Sequence, residues 1–330
     1  MIRRFLLCCS LASFVVTVSG IVASPAAFAQ GYPAKPVRII VPFGPGGAAD
    51  SLPRLVGQKL SEMWGQPVLV ENRAGAAGNL GMEQAARSAP DGYTLVSAPV
   101  GNIAINPHLY PKLSFDVFKD FTPITLVASV QNVIVVHPSV PAQTLPQFID
   151  YARANPRKID FASGGNGTQA HMGGELLKAM SGIDMVHIAY KGVGDAVKDL
   201  VGGQTNMMVA QIPSVLSFIQ AGRLRALAVA SPRRVAALPD VPTAAEAAQL
   251  PGFEAVSWYA LMGPAGMPRE VAAKIQADVA KAVQSADVRE KLRGLGAEPH
   301  GSTTAELVSA MRADFDRYGA IVKRIGLKLE

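Results

Sequence analysis

The sequence predicts an α/β protein that consists of two doubly wound lobes with a cleft between them. Short apolar runs rich in Val and Ile alternate with amphipathic stretches, as in mostly parallel sheets covered by helices. A strand that leads into a glycine-rich turn and then a helix occurs three times, at 37–60, 158–180 and 185–201. The 330 residues exceed one ordinary domain, and 49% of them are apolar, so the chain can fill two cores.

Hydrophobic periodicity and turn residues then place the elements in order. The first part of the chain predicts a strand in the Val/Ile-rich run that begins at Val37, further strands at 68–71 and 93–97, a helix after Leu52 and a short helix around 80–88. The middle part predicts strands at 124–130, 132–137, 158–163, 185–191, 207–210 and 224–230, and helices at 145–154, 169–180, before Gly202 and after Pro213. The last part predicts a strand at 256–262 and helices at 268–285, 286–292 and 303–325.

Two glycine-rich turns, about 120 residues apart, predict where a ligand would bind. The first follows a Val/Ile strand as Gly44-Pro45-Gly46-Gly47, and the second follows 158–163 as Gly164-Gly165-Asn166-Gly167 with Thr168 as a helix cap. Glycines let a ligand approach the backbone, and the first N–H groups of a helix attract anions. We call Phe43–Asp50 the first cradle and Ser163–His171 the second cradle, and we expect one in each lobe.

The chain is predicted to cross twice between the lobes. The change in sequence character near Phe121 and the surface excursion at 238–252 mark the two crossings. We therefore assign residues 30–123 and 253–330 to the first lobe and residues 124–252 to the second. Two lobes joined in this way could close on a small anion.

Residues 1–29 have the pattern of a secretory signal peptide. Arg3 and Arg4 precede an apolar run, and Ala27-Phe28-Ala29 matches an A-x-A cleavage site, so we expect cleavage after Ala29. A membrane anchor is the alternative, although Ser, Thr and Gly dilute the apolar run. Both cysteines would leave with the signal, so no disulfide or thiolate site is expected.

The charge of the remaining chain does not favour nucleic-acid binding. Loss of Arg3 and Arg4 leaves 29 basic and 25 acidic residues, a net charge of +4. This excess is small, and no basic run with interleaved aromatic residues occurs.

Three kinds of chemistry compete with simple anion binding. Gly44-x-Gly46-x-x-Ala49 followed by Glu71 fits a dinucleotide fingerprint, but export and the glycine-rich loop directly after Glu71 argue against it. His171 and Glu175 share a helix face and could bind a metal, yet no third ligand stands nearby. Ser163 ends a strand before glycines, but no G-x-S-x-G motif suggests a hydrolase. We therefore predict no cofactor, no metal and no catalytic residue.

Motifs along nearly the whole chain resemble one known family, the extracytoplasmic solute receptors of tripartite tricarboxylate transporters (Bug receptors). The segments that carry the resemblance are Tyr32-Pro-x-Lys-Pro-Val-Arg-Ile-Ile-Val-Pro-Phe43, Gly46-Gly47 with Asp50, Gly65-Gln66-Pro67, Glu71-Asn72-Arg73-x-Gly75-x-x-Gly78-Asn79-x-Gly81, Pro90-Asp91-Gly92-Tyr93-Thr94, Asn106-Pro107-x-Leu109-Tyr110, His171-x-x-Gly174-Glu175, Tyr190-Lys191-Gly192, Gly202-Gly203-Gln204, Leu238-Pro-Asp-Val-Pro-Thr-x-x-Glu246 and Pro251-Gly252-Phe253.

The resemblance implies a type II periplasmic-binding-protein fold that closes on a small carboxylate without catalysing a reaction. It implies a monomer in the periplasm that delivers its ligand to the small and large subunits of a membrane permease. It places the ligand against both cradles and a further loop, at Phe43, Pro45, Gly46, Gly47, Ala48, Asp50, Ser97, Asn102, Ser163, Gly164, Gly165, Thr168, His171 and Gln211.

One departure from the family pattern bears on the ligand. Many relatives have Phe-Asp-Asn where this chain has Val209-Ala210-Gln211, before Pro213-Ser214. The missing acid favours a mono- or dicarboxylate without an amino group. A receptor that presents a carboxylate to a sensor kinase is the alternative function, and an exported or dinucleotide-dependent enzyme is the third. Permease genes or a histidine-kinase gene beside this one would separate the first two.

Overall fold

The computed structural model describes residues 31–328, so the predicted signal peptide and its cleavage site lie outside the described residues. The strands are, in chain order, β1 (Val37–Val41), β2 (Val68–Asn72), β3 (Thr94–Pro99), β4 (Phe121–Val130), β5 (Asn132–Val136), β6 (Asp160–Ser163), β7 (Val186–Ala189), β8 (Met207–Gln211), β9 (Arg225–Val229), β10 (Ser257–Pro264) and β11 (Ala297–Pro299). They form one sheet in the order β11-β4-β10-β3-β1-β2 and a second sheet in the order β7-β6-β8-β5-β9.

The helices lie between these strands. They are α1 (Ala48–Trp64), α2 (Asn79–Ala86), α3 (Asn106–Leu109), α4 (Leu145–Ala154), α5 (Gln169–Ser181), α6 (Val193–Val201), α7 (Ile212–Gln220), α8 (Ala244–Ala248), α9 (Arg269–Gln284), α10 (Ala286–Gly294) and α11 (Thr304–Ile325). A π-helical turn at Gly101–Ile105 precedes α3. In residues 31–328, no helix combines the length and the apolar character needed to cross a bilayer.

Both sheets are mixed, so the prediction of mostly parallel sheets is wrong. β10 runs antiparallel to β3 and β4, and β5 runs antiparallel to β8 and β9. The reason lies in the crossings, because β5 and β10 are the strands that enter a sheet from the other lobe. β5 and β10 each begin at the cleft, opposite the last residues of the strands with which they pair. Each therefore runs away from the cleft, whereas those neighbouring strands run towards it.

Each sheet is covered by helices on both faces. In β1, Ile39 packs towards α1 and α9, whereas Ile40 packs against the core that α2 and α11 cover. Such strands are buried on both faces, which explains why Ile39, Ile40 and Val41 are all apolar, whereas Arg38 is only partly buried. The second sheet packs α4, α5 and α8 on one face and α6 and α7 on the other.

The two crossings follow from the sheets. β4 pairs with β10 along its whole length, from Phe121 to Val130, and β5 begins at Asn132 in the other sheet. The predicted division at 123/124 would cut β4, so we propose the first crossing at Gln131. Phe253 and Ala255 still pack in the core of the second sheet, so we propose that the second crossing follows them.

Candidate functional site

The carboxyl ends of β1, β3, β6 and β8 meet around a cavity of about 70 Å³ between the two sheets. Ligands of open α/β sheets bind beyond these strand ends, where the helix N-termini also lie. The cavity is lined by Phe43, Gly44, Gly47, Ala48, Ala49, Pro99, Val100, Gly101, Asn132, Gly164, Thr168, Gln169, Ala170, Val193, Met208, Gln211, Ser257 and Tyr259.

The first cradle presents a helix start without a side-chain cap. Gly47 is the N-cap of α1 in an extended conformation, and as a glycine it supplies no side-chain cap to the first turn of the helix. The N–H groups of Asp50 and Ser51 donate to the Gly47 carbonyl, and the N–H of Ala48 donates to Gln211 Oε1 at 3.4 Å. Ala48 and Ala49 therefore bring the positive pole of α1 to the cavity.

Asp50 supports the first cradle and does not line the cavity. Its carboxylate accepts from Arg54 Nε at 2.9 Å and from Asn72 Nδ2 at 2.9 Å, and the Gly46 N–H also donates to it. Burial opposes ionisation of the carboxyl, but these hydrogen bonds and the Arg54 charge outweigh it and lower the pKa of Asp50. Asp50 thus fixes the glycine-rich turn from behind. Pro45 and Gly46 lie exposed outside the cavity.

The second cradle has the predicted side-chain cap. Thr168 Oγ1 accepts from the His171 N–H at 3.3 Å and donates to the Gly165 carbonyl at 2.7 Å, so it joins the helix start to the loop. The backbone N–H groups of Gln169 and Ala170 have no hydrogen-bond acceptor among residues 31–328, and both residues line the cavity. They are the donors that the second cradle offers to an anion.

A neutral imidazole pair lies behind the second cradle. His171 Nδ1 accepts from the Gly167 N–H at 3.1 Å, and its ring stacks on that of His187 with the centroids 4.0 Å apart. Burial, the neighbouring His187 and the charge of Lys178 lower the pKa of His171 to about 3. Burial and Lys178 lower the pKa of His187 to about 4. Both rings are therefore uncharged near neutral pH.

Ser163 belongs to the same supporting layer. Its Oγ lies 2.6 Å from His187 Nε2 and accepts from the Gly165 N–H at 3.1 Å. Ser163 is fully buried, and neither Ser163 nor Gly165 lines the cavity. Together with His171 they hold the loop that carries Gly164 and Thr168.

The loop after β3 contributes its backbone to the cavity and keeps its polar side chains inside the lobe. Pro99, Val100 and Gly101 line the cavity. Asn102 is fully buried, donates to the Ala77 carbonyl at 2.9 Å, and is not among the residues that line the cavity. Ser97 is also buried and faces a small separate void beside α1.

One wall of the cavity is formed by neutral polar side chains from β8 and from the strands β5 and β10 that begin after the two crossings. We call this surface the polar wall. Gln211 Nε2 donates to the hydroxyl of Tyr259, which connects the two lobes. Asn132 Nδ2 donates to Ser257 Oγ at 3.1 Å and to the Ala255 carbonyl, where the chain passes between the lobes. Burial raises the pKa of Tyr259, so its phenol stays protonated and can donate a hydrogen bond.

The structure brings together six of the fourteen predicted residues at the cavity, and the other eight do not line it. The cavity-lining six are Phe43, Gly47, Ala48, Gly164, Thr168 and Gln211, and the other eight are Pro45, Gly46, Asp50, Ser97, Asn102, Ser163, Gly165 and His171. Sequence reasoning missed Asn132, Ser257 and Tyr259, because they lie in strands whose neighbours are apolar. Gln169 also lines the cavity, and its position directly after the Thr168 cap is a signal in the sequence that could identify it.

No charged side chain lines the cavity, within the range 31–328. In the same range no group of three His, Cys, Asp or Glu residues is placed to hold a metal ion. Glu175, the second half of the possible metal pair, instead forms an ion pair with Lys178 at 3.0 Å. Any charge neutralisation in the cavity must come from backbone N–H groups and neutral polar side chains.

Comparison with known proteins identifies the family. Residues 52–327 match the model of the tripartite tricarboxylate transporter family receptor. Protein BugT of Bordetella pertussis is 36% identical over 318 residues, which is 96% of each chain.

Solved structures agree with this match. An R. palustris protein solved with adipate superposes with a TM-score of 0.87 at 33% identity, covering 90% of this chain and 100% of its own. The periplasmic binding protein BugD superposes with a TM-score of 0.85 at 31% identity, with the same coverage. These similarities confirm the predicted fold of two α/β lobes, as in type II periplasmic binding proteins. The chain belongs to the tripartite tricarboxylate transporter receptor family, a family of solute-binding proteins and not of enzymes.

Proposed function

We propose that this protein holds a small organic acid between the first and the second cradle and delivers it to the small and large subunits of a tripartite transporter. The observation that carries the proposal is the cavity itself, where two helix N-termini from different lobes face a space that no charged side chain of residues 31–328 lines. Backbone N–H groups at helix starts stabilise a carboxylate without a buried cation. The relative solved with adipate supports this choice of ligand class.

The polar wall supports an acid that carries no amino group. Gln211, Tyr259, Asn132 and Ser257 offer neutral donors and acceptors, which suit a hydroxyl or a second carboxyl group. An ammonium group would need a carboxylate nearby to offset its loss of water, and none of the described residues places a carboxylate in the cavity lining. A non-amino mono- or dicarboxylate therefore fits the cavity better than an amino acid.

The location and assembly of the protein complete the proposal. The fold is that of a periplasmic binding protein, and export through the signal at 1–29 with cleavage after Ala29 would bring the chain to that compartment. We propose that the mature protein acts as a monomer that closes its lobes around the ligand.

A thermal-shift screen on the mature protein tests the proposal. We expect at least one acid from a panel of adipate, succinate, malate and aromatic monocarboxylates to raise the melting temperature in a concentration-dependent way. A ligand at one hundred times its Kd should add about 2.7 kcal/mol to the free energy of unfolding. Isothermal titration calorimetry on the best acid then gives the affinity.

Matched compounds separate the two parts of the proposal. Adipamide keeps the shape of adipate without its charges, and aspartate adds an amino group to succinate. Equal binding of adipamide and adipate would show that the cradles do not recognise an anion. Tighter binding of aspartate than of succinate would overturn the exclusion of amino acids.

A further inference from the structure

A groove separate from the ligand cavity runs along the side where the chain crosses between the lobes. Four arginines line it, two from each lobe: Arg233 and Arg234 follow β9 in the second lobe, and Arg289 and Arg293 lie on α10 in the first. Gln131, the residue of the first crossing, also lines the groove. We call this surface the arginine groove.

The positive charge of the arginine groove is not compensated within the protein. Arg234 pairs with Glu246 at 2.9 Å, but the side chains of Arg233, Arg289 and Arg293 form no ion pair and no hydrogen bond with residues 31–328. Glu298 is the single acidic residue that lines the groove in that range. Three unpaired guanidinium groups beside one acid thus remain available, in a chain whose acids and bases are otherwise nearly balanced.

Packing does not account for these arginines. Arg233 and Arg293 are exposed and Arg289 is partly exposed, so the core does not require them. Like charges that gather on one surface repel each other and cost stability unless an anion binds there. Guanidinium groups bind carboxylates in bidentate pairs, which makes Arg the residue suited to an acidic protein segment.

We propose that the arginine groove docks an acidic, extended segment of a protein partner. A groove lined by residues of both lobes admits an extended segment of chain, whose individual carboxylates can pair with individual guanidinium groups. Because each lobe contributes two arginines, the spacing between the two pairs depends on how the lobes are oriented. A segment with carboxylates at fixed spacing therefore binds one orientation of the lobes best and distinguishes the closed receptor from the open one. We take this segment to belong to a transporter subunit, and in that respect the inference rests on the proposed function.

Peptide binding to the mature protein tests the docking surface. Fluorescently labelled synthetic peptides that tile the extracytoplasmic loops of the cognate permease subunits are titrated with the receptor, and anisotropy is followed. We expect an acidic peptide to bind, with an affinity that falls as the salt concentration rises from about 50 to about 300 mM. The double variant Arg233→Glu/Arg293→Glu, with one exposed residue changed in each lobe, should weaken this binding by about tenfold or more.

A matched control pair and a charge-swapped peptide complete the test. Lys198→Glu/Arg223→Glu makes the same charge change at exposed residues beside a different groove and should leave peptide binding unchanged. A peptide with Lys in place of its acids should regain affinity for the Arg233→Glu/Arg293→Glu variant. Circular dichroism and the melting temperature confirm that both variants fold.

The outcomes separate this inference from the proposed function. Unchanged stabilisation by the carboxylate together with lost peptide binding supports a docking surface distinct from the ligand site. If no acidic loop peptide binds, if the Lys198→Glu/Arg223→Glu pair causes the loss instead, or if vesicles with anionic lipid displace the peptide, the inference is overturned. Absence of any carboxylate shift in the wild type would contradict the proposed function alone.

Discussion

The first and second cradles start from the same local pattern, a buried strand, a glycine-rich turn and a helix start, but different groups hold them in place. Behind the first cradle lies a charged layer, in which Asp50 binds Arg54, Asn72 and the Gly46 N–H. Behind the second lies a neutral layer of buried hydrogen bonds and two stacked imidazole rings, His171 and His187.

The helix starts differ in the same way. The first turn of α1 lacks a side-chain cap and finds an acceptor in Gln211, a residue of the opposite lobe. The first turn of α5 is capped by its own Thr168. The side-chain acceptor at the start of α1 therefore comes from the other lobe, whereas the one at the start of α5 comes from Thr168 of the same lobe. We therefore expect the first cradle to respond to changes at Gln211, and the second cradle, which contains the buried imidazole pair, to respond to acid.

The largest difference should come from one substitution made in both cradles. Gly167 has φ +71° and an added Cβ would overlap Asn106 Oδ1 in the first lobe, whereas Gly46 has φ +97° with open space around it. Gly167→Ala should lower the free energy of unfolding by about 3 kcal/mol, from backbone strain plus the overlap. Gly46→Ala should cost about 1 kcal/mol, from strain alone.

Urea unfolding of both variants measures these effects, and small-angle scattering shows whether Gly167→Ala keeps the lobes apart. Equal losses for the two variants would mean that the second cradle does not pack against Asn106 in solution.

A change at Gln211 tests whether the first cradle is completed from the opposite lobe. Gln211→Glu places a carboxylate at the Ala48 N–H, where an anion is favoured. This tethered anion should compete with the ligand and weaken its binding by about tenfold to a hundredfold, as measured by calorimetry. Gln211→Ala is the control, because it removes the side chain without adding a charge. If Gln211→Glu binds the acid as tightly as the wild type, the ligand does not use the start of α1.

Acid should destabilise the protein through the second cradle. The pKa values of His171 and His187 in the folded state, about 3 and about 4, lie below the ordinary value of 6.5, so the unfolded chain binds more protons. Stability is therefore fully present above pH 6.5 and is lost as pH falls towards these folded-state values. We expect the free energy of unfolding to fall by about 1.4 kcal/mol per pH unit, below about pH 6, for each additional proton that the unfolded chain binds.

The measurement is urea unfolding at several pH values. The quantity to compare between wild type and variant is the slope of the free energy of unfolding against pH, and not the free energy at any single pH. His171→Gln removes one of the two buried imidazoles, so its profile should be flatter even if the variant is less stable. An unchanged slope in this variant would show that other groups take up the protons.

The fold could be largely predicted from the sequence because its signals are local. Apolar runs such as Val37–Val41, caps such as Thr168 and turns such as Gly65-Gln66-Pro67 each specify structure over a few residues. The directions of β5 and β10 could not be predicted in this way. They depend on which sheet a strand joins, and the long pairing of β4 with β10 decides that across more than a hundred residues.

The candidate site also has parts that local sequence signals predict and parts that they do not. The cradles could be found because glycine turns before helices mark them, but the roles of Asp50, Asn102 and Ser163 could not. The identity of a polar residue at a strand end does not show whether its side chain faces a ligand or supports the adjacent loop. Tyr259 shows the reverse case, since a strand residue among apolar neighbours gives no sign that its hydroxyl reaches the cavity.

Removal of the cap from the second cradle should have a moderate effect. Thr168→Ala deletes the acceptor of the His171 N–H and the donor to the Gly165 carbonyl. We expect a loss of about 1 kcal/mol in the free energy of unfolding and a similar loss in binding free energy for the acid. Thr168→Ser keeps the hydroxyl and should restore both values. Calorimetry that finds unchanged affinity in Thr168→Ala would remove Thr168 from the binding site.

The smallest effect should come from giving the first cradle the cap that it lacks. Gly47 has an extended backbone with φ −115° and ψ 176°, which a serine N-cap also adopts, and an added Cβ would meet Val193 only at an ordinary 3.6 Å. Gly47→Ser should therefore raise the free energy of unfolding by a few tenths of a kcal/mol. Its hydroxyl would also take helix N–H groups that the ligand needs, so affinity for the acid should fall while stability rises. A parallel rise of both would mean that those N–H groups are not part of the binding site.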